Sequence, residues 1–150
     1  MPSCLHALLL AVAVHANASE TMLRADIPAS GDTFATSVAI DGDLAVVGMP
    51  GDDTIAGDAG AAYIYQRTPG GWMLLQTLYG AALGDQFGYA VAVVDGNAQA
   101  GNDDVIAVGS LNGEGVLRRT GNVRMYRRTA PTPDFSSDGV LYAADSLNWD

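Results

Sequence analysis

Gly84-Asp85-Gln86-Phe87-Gly88-Tyr89-Ala90-Val91-Ala92-Val93 sets an aromatic and a glycine on a turn of small and acidic residues, then alternates small and β-branched residues. The same phrase stands earlier as Gly31-Asp32-Thr33-Phe34-Ala35-Thr36-Ser37-Val38-Ala39-Ile40. A phrase written twice marks an internal repeat, and a repeat constrains the fold more than any single motif does. The alternating halves have the period and composition of strands.

Matching stretches follow each copy. Asp43-Leu44-Ala45-Val46-Val47-Gly48 and Asp104-Val105-Ile106-Ala107-Val108-Gly109 are second strands, apolar enough to predict burial on both faces. Asp41-Gly42 before the first of them predicts a hairpin with a type I′ turn. Third strands are expected over 60–68 and 121–129, and fourth strands over 72–78 and, more weakly, 140–142. A further short strand is expected at Thr21-Met22-Leu23-Arg24-Ala25. Phe34 to Phe87 and Val38 to Val91 are each 53 residues apart, whereas Gly48 to Gly109, Gly60 to Gly121 and Tyr65 to Tyr126 are each 61 apart. The change is one eight-residue insertion in the loop between first and second strands, where a true repeat tolerates it. Four short antiparallel strands per 50–60-residue unit describe a blade of a β-propeller. A small β-sandwich or an open meander is the alternative.

Acidic residues outnumber basic ones 17 to 7, for a formal charge of −10. That balance argues against nucleic acid and anionic membrane as partners, since both need a basic footprint. Leu5 to Ala16 is an apolar run broken only by His6 and His15, and it ends in Ala16-Asn17-Ala18. The run is too short to span a bilayer and fits a secretory signal peptide over residues 1–18, with cleavage near Ala18–Ser19 and export of the remainder. Its n-region, Met1-Pro2-Ser3-Cys4, has no basic side chain; a buried N-terminal helix is the alternative. Cleavage would remove Cys4, His6 and His15, leaving residues 19–150 without His, Cys or Lys. Disulfides, thiolate or imidazole metal ligands, Schiff bases and His-activated nucleophiles are then excluded.

With these elements in order, residues 21–129 resemble the FG-GAP repeat, found in the N-terminal propeller of integrin α chains and in many secreted bacterial proteins. Phe34-Ala35 stands where the family has Phe-Gly, and Gly48-Met49-Pro50 where it has Gly-Ala-Pro. The second copy keeps Phe87-Gly88 but has Gly109-Ser110-Leu111. Trp72 and Gln76 sit where the family's fourth-strand Trp and Gln do. The resemblance implies an all-β chain of two four-stranded antiparallel propeller blades, one over about 31–78 and the next over about 84–142, with the start of a third at Asp145-Ser146-Leu147. It implies a seven-bladed ring, so further blades are expected in cis or by self-association.

The resemblance also implies a calcium loop at the hairpin carrying the insertion, with Asp95, Asn97, Asp103 and Asp104 as candidate ligands. Calcium takes several oxygen ligands, which a tight loop of alternating Asp and Asn supplies. Counted from Asp95, Gln99 is fifth and Ala100 takes the glycine place; counted back from Asp104, Gly101 is correct but the loop is one residue long. A solvated acidic loop is the competing reading. Asp52, Asp53 and Asp58 read as turn residues rather than an acid–base pair. Arg118, Arg119, Arg124, Arg127 and Arg128 gather on and before one strand, as a contact patch or a charged guard. The expected function is a non-enzymatic exported module binding a protein or glycan. The alternatives are an accessory part of a secreted hydrolase and a self-associating structural protein.

Overall fold

A computed structural model describes residues 20–96, 103–113, 120–128 and 133–142. The expected signal peptide and the expected start of a third repeat lie outside these residues. Eight strands run in chain order: β1 (Ser37–Asp41), β2 (Leu44–Met49), β3 (Ala61–Thr68), β4 (Gly71–Tyr79), β5 (Phe87–Val94), β6 (Asp104–Ser110), β7 (Asn122–Arg128) and β8 (Ser136–Tyr142). They form two four-stranded antiparallel meanders, β1-β2-β3-β4 and β5-β6-β7-β8. This is the arrangement of two propeller blades, and the chain is all-β over the described residues.

The register repeats with the sequence. Val38 opposes Val47 and Ile40 opposes Ala45 in the first sheet; Val91 opposes Val108 and Val93 opposes Ile106 in the second. Even the irregularities recur, with a register shift between Ile64 and Tyr65 against β4 and between Met125 and Tyr126 against β8.

Residues on β2 alternate between two packed faces, as strand geometry requires. Leu44 and Val46, with Ala62, Ile64 and Leu78, face the second sheet and bury against Phe87, Ile106, Val108 and Phe135. Ala45, Val47 and Met49, with Ala61, Tyr63 and Tyr65, face the other way, where Leu23, Ala25 and Phe34 cover them. β2 is thus wholly buried, as its apolar run predicts. β6 differs: Ile106, Val108 and Ser110 are buried while the residues between them are only half-buried, because one face of the second sheet carries no partner sheet among the described residues.

Three expectations are corrected. Residues 21–25 form no strand; they lie along the first sheet, where the Tyr65 hydroxyl donates to the Arg24 carbonyl at 2.6 Å. The β1–β2 turn is centred on Gly42-Asp43, because Asp41 pairs with Leu44. Of these two only Gly42 has positive φ, 52°, so the turn is not type I′. β8 begins four residues earlier than predicted: Asp138-Gly139 reads as a turn, yet Gly139 lies inside the strand at φ 131°, opposite Met125 and next to the bulge, where glycine is at home.

Candidate functional site

The candidate ligand residues gather where the β5–β6 loop meets the β1–β2 turn. β5 ends at Val94, so Asp95 leaves the sheet beside Gly42, where an added Cβ would collide with the Asp95 carboxylate. Asp95 Oδ2 accepts the Asp43 amide at 2.8 Å, and the Asp95 amide donates to Asp41 Oδ2 at 3.0 Å. Two acidic turns of neighbouring sheets are thereby laced together through each other's backbone.

Asp104 opens β6 opposite Arg128, the last residue of β7. Arg128 Nε donates to Asp104 Oδ2 at 2.6 Å, while Asp104 Oδ1 accepts the Gly96 amide at 2.9 Å. The same guanidinium donates to Gln66 Oε1 of the first sheet at 3.0 Å and lies 5.0 Å from the centre of the Phe135 ring. Next door, Arg127 donates to Asp103 Oδ2 at 2.7 Å and to Asp138 Oδ2 at 2.9 Å. These two hydrogen bonds, Asp103 first, raise the Arg127 pKa above its ordinary value. The structure therefore brings Asp95, Asp103 and Asp104 to one end of the sheets, while Asn97 lies outside the described residues.

A calcium ion would need several of these oxygens turned to one centre. Instead Asp104 divides its oxygens between an amide and a guanidinium, Asp103 gives an oxygen to Arg127, and Asp95 holds an amide. Among the described residues no three acidic, His or Cys side chains converge as a metal cluster. The described carboxylates form a guanidinium-clamped turn, and the remainder of the expected calcium loop, with Asn97, lies outside the described residues.

The opposite end carries the repeated Phe turns. Asp32 and Asp85, equivalent in the two copies and 5% and 3% exposed, each close their own turn. Asp32 Oδ2 accepts the Ala29 amide, and Asp85 Oδ2 accepts the Ala81 and Ala82 amides. Their carbonyls accept equivalent amides as well, from Gly51 and Asn112. Asp52, 1% exposed, caps the Thr54 amide at 2.9 Å and accepts from the Tyr63 hydroxyl at 3.4 Å. Burial, with the Asp52 charge beside it, pushes the Tyr63 phenol well above its usual range. Asp53 accepts the Asp58 amide at 2.7 Å. The carboxylates of Asp52 and Asp53 are used in turns, as their setting among glycines predicts, and Asp58 joins the second of these turns through its backbone amide.

Sequence reasoning missed what ties the sheets. Gln76 makes a two-way contact with Phe135, donating to its carbonyl at 3.1 Å and accepting its amide at 2.7 Å. It also missed a cleft of about 270 Å³ between the Phe turns, lined by Thr33, Thr36, Pro50, Asp58, Gln86 and Tyr89 among others. The recurrence of Asp32 and Asp85 in the repeated phrase was the available signal for buried turn-closing acids; the resemblance marked Gln76 as a fourth-strand position but gave it no role, and nothing in the spacing marked the cleft.

Residues 19–65, which span the Phe34 turn, β1, β2 and most of β3, match the family model described as FG-GAP repeat. That match is consistent with an FG-GAP repeat in the first sheet. The second sheet copies the strand order, register and bulge of the first, and the two sheets are consistent with blades of a β-propeller-like module over the described residues. Comparison with curated proteins finds no match.

Proposed function

We propose that this FG-GAP chain is an exported, non-catalytic module that binds a protein or glycan through its loops, and that a neutral glycan is the better fit. The carrying observation is the cleft between the Phe turns. Thr33 and Thr36, whose hydroxyls donate to the Asp32 and Thr33 carbonyls, offer their oxygens as acceptors; Gln86, whose Oε1 accepts from Asn112, offers its amide NH2; and the ring of Tyr89 is 48% exposed. Hydroxyl and amide groups beside an exposed aromatic suit the polar edges and apolar face of a sugar ring. At about 270 Å³ the cleft is smaller than the ~300–1,000 Å³ usual for a whole small ligand, so it suits the end of a longer one. Catalysis here would need a carboxylate poised for proton transfer, whereas the carboxylates of Asp52 and Asp53 are engaged in turns, leaving Asp58 as the single carboxylate among the described lining residues of the cleft.

A neutral-glycan array probed with the chain tests the reading. Binding is expected, and Tyr89→Ala is expected to weaken it by about tenfold, the scale of one aromatic contact. Binding that ignores Tyr89→Ala would displace the site. Turnover of a glycoside or ester that Asp52→Asn abolishes would replace the module with an enzyme.

A further inference from the structure

Among the described residues, four that are not glycine have positive φ: Thr33 at 56°, Ala35 at 67°, Asp58 at 48° and Gln86 at 53°. Three of them, Thr33, Asp58 and Gln86, line the cleft that Tyr89 borders. Glycine adopts such angles without steric cost, and the chain places it there elsewhere, at Gly31, Gly60 and Gly84 among others. A β-branched residue such as Thr33 is a clear outlier in this region. Residues held there against that cost cluster at ligand sites, where the side chain itself is wanted.

Asp58 is the charged member of the set. Its main chain is fixed from both sides, the amide donating to Asp53 Oδ1 at 2.7 Å and the carbonyl accepting the Gln86 amide at 3.0 Å. Its carboxylate makes no hydrogen bond or ion pair with any described residue. The acids around it differ: Asp52, Asp53 and Asp85 each spend a carboxylate oxygen on a backbone amide. The rest of the wall is rich in acceptors. The Thr33 and Thr36 hydroxyls have given their protons to the Asp32 and Thr33 carbonyls, at 2.7 Å each, which leaves their lone pairs to a ligand. No basic side chain stands among the described lining residues. A sugar hydroxyl can donate to such a wall, whereas an ionised carboxylate or sulfate only accepts. Set beside Asp58, that anion would also meet like charge.

We infer, given the glycan reading of this cleft, that Asp58 is its specificity-determining residue: it receives hydroxyl groups of an uncharged sugar and turns away a sugar bearing a carboxylate or sulfate. The net charge of −10 also disfavours acidic glycans, but it is spread over the chain and screened beyond about 8 Å at physiological salt. Asp58 acts inside the cleft, where two sugars of one shape are told apart.

The test uses the full chain on two arrays, one of neutral glycans and one of the same glycans with their primary hydroxyls oxidised to carboxylates. The unaltered chain is expected to bind the oxidised set about tenfold more weakly, the scale of two like charges near a protein surface. Asp58→Asn removes the charge and keeps a residue type that tolerates positive φ, so the gap is expected to shrink to within about threefold in a folded chain. Asp58→Gly, freer still at this φ, is expected to shrink it as well. Equal or stronger binding of the oxidised array by the unaltered chain would overturn the inference and leave the glycan reading standing. A gap that both Asp58 variants retain would do the same, by assigning the rejection to the charge of the whole chain. Binding to neither array would remove the glycan reading and, with it, the role of Asp58.

Discussion

Arg128 reaches three elements at once: Asp104 on β6, Gln66 on β3 and the ring of Phe135 ahead of β8. Its side chain and that of Asp104 are only 16% and 15% exposed, so solvent screens the pair weakly. Replacing it with Met leaves Asp104 without its charged donor and is expected to cost about 2–3 kcal/mol in urea unfolding. The outer pair Arg127–Asp138, 44% and 40% exposed, is expected to cost well under about 1 kcal/mol when removed. With guanidinium groups holding Asp103 and Asp104, added calcium is expected to leave the melting temperature unchanged. A rise that Asp95→Ala removes would instead support the calcium loop. Tyr65 gives a pH signature. Burial, then the charge of Asp26, pushes its phenol up to about 12 from an ordinary value near 10. The folded state then holds this proton more tightly than the unfolded one. The contribution is complete below about pH 10 and is lost as pH rises towards about 12. Alkaline titration of stability is expected to fall less steeply in Tyr65→Phe, at the price of the bond to Arg24 near neutrality. The composition made Asp and Arg visible, but which acid meets which arginine depends on how two sheets meet, and no spacing in one strand encodes that.

At the scale of elements, the glycines of β2 and β6 offer a paired experiment. Gly48→Ala drives a methyl into the Gly88 carbonyl and is expected to destabilise by about 1–3 kcal/mol or more, whereas Gly109→Ala is expected to be near neutral in thermal unfolding. Equal effects would mean the two sheets are not built around the same contact. Strands were legible because period, composition and the 53- and 61-residue spacings agree. β8 was hidden because a bulge admits Asp138-Gly139, residues that otherwise mark a turn. The β1–β2 turn was misplaced by one residue because Asp-Gly and Gly-Asp overlap in Asp41-Gly42-Asp43. The 21–25 segment has strand composition but no neighbouring strand to pair with, so it packs through Leu23 and Ala25 instead.

Across the molecule, the two sheets share one buried cluster and the Gln76–Phe135 contact, which predicts a single cooperative transition. Phe87→Ala removes a fully buried ring from that shared cluster and is expected to cost about 3–5 kcal/mol. It is also expected to separate the transition into two, seen as non-coincident near-ultraviolet circular dichroism and calorimetric curves. Coincident curves in the variant would show that the sheets are coupled elsewhere. The backbone of the Phe87 turn docks on residues earlier in the chain, at Ala59, Gly60 and Ala61, whereas its ring is closed from the far side by Tyr126 and Arg124. During synthesis, therefore, the first sheet presents the seat before the second is made, but the ring is enclosed only once β7 has emerged and paired.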